Sequence, residues 1–231
     1  MRTRWAALVA LSLTAAGVVS ACDRTSDGVP VPADVAIPAT STPSTRAIPT
    51  PQTDLTEPGI VSTTRTPVPA GEVTCEAPDP PPVGVMASVA DPAAPKITVA
   101  LPEGWSTSAG DGDVGAKLQG PDGVSATVTI ARTQLDPAEA FEKYVNDAMA
   151  ESAVSSVSVL PAKVCGYSGQ KLLGMWSDSP EHAVEFADRI AHIWTNTNNY
   201  FVAVHVEGPT GTPDFEPMAS PLMADFAVVL P

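Results

Sequence analysis

The chain has 231 residues, with 26 Asp and Glu against 12 Lys and Arg and a formal charge of −14. That balance leaves no basic face for nucleic acid, and it sets the chain against anionic lipid headgroups. No Phe, Trp or Tyr lies between Trp5 and Trp105, so the bulky side chains that a core needs belong to the second part.

Arg2 and Arg4 flank an apolar run from Trp5 to Val19, which ends in Val19-Ser20-Ala21-Cys22. The run is shorter than the ~20 apolar residues that span a bilayer as a helix. Two small residues before a cysteine resemble the lipobox of bacterial lipoproteins, where a signal peptidase cuts ahead of a cysteine carrying diacylglycerol. Residues 1–21 are therefore read as a signal peptide. Cys22 is read as the first mature residue, diacylglycerylated and N-acylated, with the membrane its partner on the extracytoplasmic side. Two or more acyl chains anchor stably where one holds only reversibly. The competing reading is an ordinary secretory signal with an incidental cysteine.

Residues 22–71 hold Ala39-Thr40-Ser41-Thr42-Pro43-Ser44-Thr45 and Thr66-Pro67-Val68-Pro69-Ala70, with no periodicity and no aromatic. Such a composition buries too little apolar surface to offset the entropy of ordering it, and it predicts a disordered Pro/Thr-rich linker. As a coil it reaches ~40 Å. Residues 72–231 are read as one domain, opening with an irregular strap over 72–95. With Cys22 acylated, Cys75 and Cys165 remain, the even count that an oxidising compartment favours. They are read as a disulfide, with two buried free thiols as the alternative.

Within the domain, Ile97, Val99 and Leu101 alternate with Thr98 and Ala100, the period of a half-buried strand. Pro102-Glu103-Gly104-Trp105 then turns the chain. Val114–Gln119 and Val124–Arg132 flank Gly120-Pro121-Asp122-Gly123, a hairpin signal. Asp136, Pro137 and Glu139 form a capping-box start. Phe141, Tyr144, Val145, Ala148 and Met149 follow as one apolar helical stripe, read as core packing.

Val157–Leu160, Ser168–Trp176, Ala183–Thr195 and Tyr200–Val206 read as further strands, the last two joined by Asn196-Thr197-Asn198-Asn199. Ser220-Pro221 predicts a short helix through Phe226, with Ala227–Leu230 a closing strand. The fold class is α+β, a largely antiparallel sheet with helices packed on it.

Leu101-Pro102-Glu103-Gly104-Trp105, Asp136-Pro137-Ala138-Glu139-Ala140 and Gly166-Tyr167-Ser168-Gly169 running into Leu172-Leu173-Gly174 carry a family likeness. With the lipobox and stalk, the chain resembles the LpqN-type lipoproteins of mycobacteria and related actinobacteria over most of 96–230. The resemblance implies a PsbP-like α/β/α sandwich. It also implies a role in envelope lipid transport or host interaction, with no catalytic residue set.

No stretch carries a catalytic signature. Gly110-Asp111-Gly112-Asp113-Val114-Gly115 matches G-x-G-x-x-G by letter, but two aspartates would repel a pyrophosphate and no helix follows. Gly166-Tyr167-Ser168-Gly169 is no nucleophile elbow, because Gln170 stands at its fifth position. With Thr195 opposite Tyr200, His192 and His205 become diagonal neighbours on one face with Asp188 and Glu207. Two imidazoles and two carboxylates suit a divalent metal, so a metal-dependent hydrolase is the alternative function. A polar, solvent-facing sheet surface accounts for the same residues and is favoured. The sequence therefore points to a non-enzymatic, cofactor-free envelope lipoprotein binding an apolar envelope lipid or a membrane or host protein.

Overall fold

The computed structural model describes residues 58–77, 81–179 and 182–231. The signal peptide, Cys22 and the linker up to residue 57 lie outside the described residues. In chain order the strands are β1 (Val73–Cys75), β2 (Gly84–Ala87), β3 (Lys96–Ala100), β4 (Ser106–Ser108), β5 (Val114–Gln119) and β6 (Ser125–Thr133). Helix α1 (Pro137–Ala150) follows, then β7 (Val154–Pro161), β8 (Ser168–Ser177), β9 (Ala183–Trp194), β10 (Asn199–Pro209) and β11 (Ala227–Val229).

The strands form two antiparallel sheets, β1-β11-β3-β2 and β4-β5-β6-β10-β9-β8-β7. Alternation decides which side chains meet which layer. Ala187, Ala191 and Ile193 of β9, with Val202, Val204 and Val206 of β10, share a buried cluster with Ile97 and Val99 of the smaller sheet. The opposite face carries Ile190, Phe201 and Ala203, and there Ala140 and Phe141 of α1 pack. Strands β9 and β10 are thus buried on both faces, each large apolar side chain contributing about 1.5–3 kcal/mol.

Helix α1 starts as its cap predicts. Asp136 Oδ1 accepts from the Glu139 amide at 3.0 Å, and the Glu139 carboxylate takes the Asp136 amide at 3.4 Å. Of the apolar stripe, Phe141 is buried, Tyr144, Val145 and Ala148 are half-buried and Met149 is exposed.

Three expectations are corrected. Among the described residues one α-helix covers one face of the large sheet, and a second sheet, rather than further helices, covers the other. The α+β class stands, but the α/β/α layering does not. The helix read from Ser220-Pro221 through Phe226 is a single 3₁₀ turn, Pro221–Met223, preceded by another at Pro217–Ala219. Pro221 holds Ser220 out of the helical region, at ψ 136°, which ends the first turn at Ala219.

The linker also ends earlier than position 71, and the region of the strap carries β1 and β2. Gly169 N donates to Gly59 O at 3.0 Å, and Gln170 Nε2 donates to Pro58 O at 2.8 Å. Ser168 Oγ bonds both the amide and the carbonyl of Val61, and the Asn196 side chain does the same for Val68. Gly59 has φ +82°, and a Cβ there would lie 2.1 Å from Gly169 O. Composition missed this docking because polar side chains more than a hundred residues downstream provide it.

Cys75 and Cys165 are bonded, with Cα atoms 5.4 Å apart, tying β1 to the turn before β8. Among the described residues no helix is long and apolar enough to cross a membrane.

Candidate functional site

The β9–β10 hairpin holds every candidate metal ligand, so its register decides their geometry. Thr195 N donates to Asn198 O at 2.9 Å and Asn196 takes φ +68°. The turn therefore closes two residues tighter than the four-residue loop read from Asn196-Thr197-Asn198-Asn199. Trp194 pairs with Asn199, His205 with Asp188 and His192 with Phe201. A slip of two keeps every side chain on its face but changes its neighbours. His192 and His205 consequently sit four positions apart along the ladder and are not diagonal neighbours.

His192 is 4% exposed, and its Nε2 donates to Leu135 O at 3.1 Å. Burial lowers its pKa against the opposing pull of that bond and of Asp136, so the ring is neutral at pH 7. Among the described residues its Nδ1 has no hydrogen-bond partner.

The other three candidates do converge. His205 Nδ1 donates to Asp188 Oδ1 at 2.6 Å, and His205 Nε2 lies 3.5 Å from Glu207 Oε2. Tyr144, reaching down from α1, donates its hydroxyl to the same Asp188 oxygen at 3.1 Å. The imidazole lies nearly parallel to Trp176 at 5.6 Å, and Phe186 is equally distant. Burial alone would depress His205. The hydrogen bonds to Asp188 and Glu207, with their charges, override it and push the pKa up to about 9.

At pH 7 His205 is therefore an imidazolium neutralising a carboxylate that is 1% exposed. A ring protonated on both nitrogens can neither ligate a metal nor take a proton. Among the described residues no set of three His, Cys, Asp or Glu is disposed to hold a metal ion. The favoured solvent-facing surface is corrected as well: α1 covers Asp188, and Asp188 and His192 are buried.

A different feature has the dimensions of a ligand site. Trp105, Phe215, Val124 and the rings of Pro102, Pro213 and Pro221 line an open groove of about 550 Å³, with Asp122, Asp214 and Glu216 beside them. Trp105 follows the Pro102-Glu103-Gly104 turn, closed by its amide to Pro102 O at 3.2 Å. Its indole lies so close to Gly120 that a Cβ there would be 2.5 Å from the ring. Phe215 lies against Gly208 in the same manner. Sequence reasoning placed Trp105 at the strand end but missed Phe215. The available signal was one aromatic isolated among the turn residues Thr212-Pro213-Asp214 and Glu216-Pro217.

No protein-family model matches the chain, and no curated protein does so at the level of sequence. Among solved structures, LpqN of Mycobacterium tuberculosis, described as involved in cell envelope biogenesis, superposes with a TM-score of 0.50. The likeness is one of fold. Identity is 12%, over 64% of this chain and 91% of LpqN. The resemblance read from the residues thus holds as a distant structural relationship, which the matching α+β architecture with its antiparallel sheet also supports.

Proposed function

We propose that this chain is a cell-envelope lipoprotein, held to the extracytoplasmic face of the membrane by acyl chains on Cys22. Its folded part binds an apolar envelope lipid without catalysing a reaction. One observation carries the binding: the groove between Trp105 and Phe215, walled by proline rings and about 550 Å³ in volume. The fold shared with LpqN supports the envelope setting. The hydrolase alternative loses its basis with the separation of His192 from His205.

Native mass spectrometry of the acylated protein taken from its own membrane tests the reading. The expected species starts at Cys22 with its acyl mass, keeps the Cys75–Cys165 bond and retains a lipid that Trp105→Ala releases. An unmodified Cys22 would end the anchoring half. Binding unchanged by Trp105→Ala would end the groove half.

A further inference from the structure

Strand β7 forms one edge of the large sheet, and among the described residues it pairs on one side only, with β8. An unpaired edge presents a row of free backbone groups, which folded chains blunt with short strands, charges or proline. The opposite edge, β4, is three residues long. β7 runs for eight, Val154-Ser155-Ser156-Val157-Ser158-Val159-Leu160-Pro161, with no charge and its single proline in the last position.

The ladder decides which backbone groups of β7 are free. Ala162 N donates to Gly169 O at 3.1 Å, one step beyond the Pro161–Gln170 pair. In an antiparallel ladder the residues bonded to a given neighbour alternate, and each turns its N–H and C=O to the same side. Ser156, Ser158 and Leu160 therefore face β8, while Ser155, Val157, Val159 and Pro161 face outward. Pro161 thus sits where β8 makes no use of the N–H it lacks.

Side chains and charges mark the same edge. Leu172 packs in the layer under α1, so Leu173 and Met175 of β8, with Val154 and Leu160 of β7, share the face away from the helix. All of these are exposed, Val154 the most at 65%. Acidic residues stand at the start of β7, where Glu151 precedes it and Asp178 Oδ1 accepts from the Ala153 amide at 3.3 Å. Basic residues stand at its end, Lys163 just beyond Pro161 and Lys171 opposite Leu160. A second β7 laid antiparallel sets the acidic start of each on the basic end of the other. A parallel partner would match like with like.

We propose that β7 pairs with β7 of a second copy of this chain, antiparallel about a two-fold axis through Val157. An isologous contact of this kind closes as a dimer. Val157 meets its own copy, and Ser155 exchanges hydrogen bonds with Val159 of the second chain. Pro161 falls beyond the paired run, so its missing N–H loses nothing. Centring the axis on Ser158 would set Pro161 against Ser155 and forfeit a bond. Centring it between two residues would oppose side chains from different faces. On the face away from α1, exposed Val154 meets exposed Leu160 of the second copy.

Native mass spectrometry of the full acylated chain released from detergent, with amide exchange read residue by residue, tests the pairing. The parent should appear as a dimer whose Ser155, Val157 and Val159 amides exchange slowly. Val159→Pro, at an exposed position whose N–H points away from β8, should weaken the dimer about tenfold or more, since each copy loses a donor. Its circular dichroism should match the parent's. Glu151→Lys touches no ladder bond, so it reads the contact even where the proline variant fails to fold. It should weaken the dimer, and Lys163→Glu added to it should restore the pairing. Trp105→Ala should leave the dimer intact, because Trp105 leads into the opposite edge of the sheet, which separates this result from the lipid reading. A monomer with freely exchanging edge amides would overturn the proposal. So would a monomer with protected ones, as when residues before Pro58 or another protein fill the edge, and so would a dimer indifferent to either variant.

Discussion

His205 stands directly opposite Asp188 across the β9–β10 ladder, with Nδ1 2.6 Å from Oδ1, and Tyr144 closes over the pair from α1. The contact joins helix to sheet through one carboxylate oxygen. It places a formal ion pair inside a layer otherwise packed with Phe141, Leu172, Ile190 and Phe201. Such a pair adds little net stability while intact, but breaking it leaves a buried charge alone.

The first consequence is a pH dependence. The His205 pKa rises from 6.5 to about 9 on folding. A raised value stabilises fully below the unfolded pKa, and the stabilisation disappears as pH climbs through the folded one. Between pH 6.5 and 9 the folded state should therefore lose ~3 kcal/mol from this group. Urea unfolding across pH 6–10 should show the decline, and His205→Gln should flatten it. An equal slope in the variant would assign the dependence to other groups.

Arg189 is the second buried charge, 1% exposed, and it faces the other layer. Its guanidinium donates to the carbonyls of Ala162 and Lys163 and pairs with Asp225 at 2.6 Å. Arg189→Met should cost about 1–3 kcal/mol by leaving these acceptors unmatched. Arg189→Lys should not restore it, because a single ammonium cannot reproduce the guanidinium fork. Denaturant midpoints of the two variants provide the check; full stability in the lysine variant would show that charge alone suffices.

Gly59 offers a test of the docked segment. Any side chain there meets Gly169 O in a backbone conformation that L residues rarely adopt. Gly59→Val should release residues 58–64, with the amides of Gly169 and Val61 exchanging much faster and the amides of β9 and β10 unaffected. Unchanged protection at Gly169 would mean that the Ser168 and Gln170 contacts hold the segment by themselves.

The Cys75–Cys165 bond closes a separation of 90 residues. Its removal in the Cys75→Ser, Cys165→Ser double variant should lower stability by about 2–5 kcal/mol, seen as a fall in Tm. The parent in reductant should match the variant, and an unchanged Tm in both would show that the packing of β1 alone is enough.

Local signals were legible where the backbone needs only a few residues to settle. The Asp136-Pro137-Ala138-Glu139 start produced the helix it predicts, and alternation in Ser125–Thr133 set the inward face of β6. The last hairpin shows the boundary. Its strands and faces could be read, yet the turn at Asn196 closed two residues early and exchanged every partner. His205 consequently found Asp188, and His192 found the Leu135 carbonyl.

By itself the sequence determined the positions of β3, β5 to β11 and α1, the paired cysteines and the confinement of the aromatics to the second part of the chain. These follow from periodicity, capping chemistry and residue type, all of which act over a few residues or by count. Only the tertiary structure decided that Asp188 and Arg189 are buried and paired with His205 and Asp225, that Ser168 and Asn196 grip residues 58–68, and that Trp105 shares a groove with Phe215. The partners in each case come from distant parts of the chain, and they meet only once the layers on both faces of β9 and β10 have come to rest.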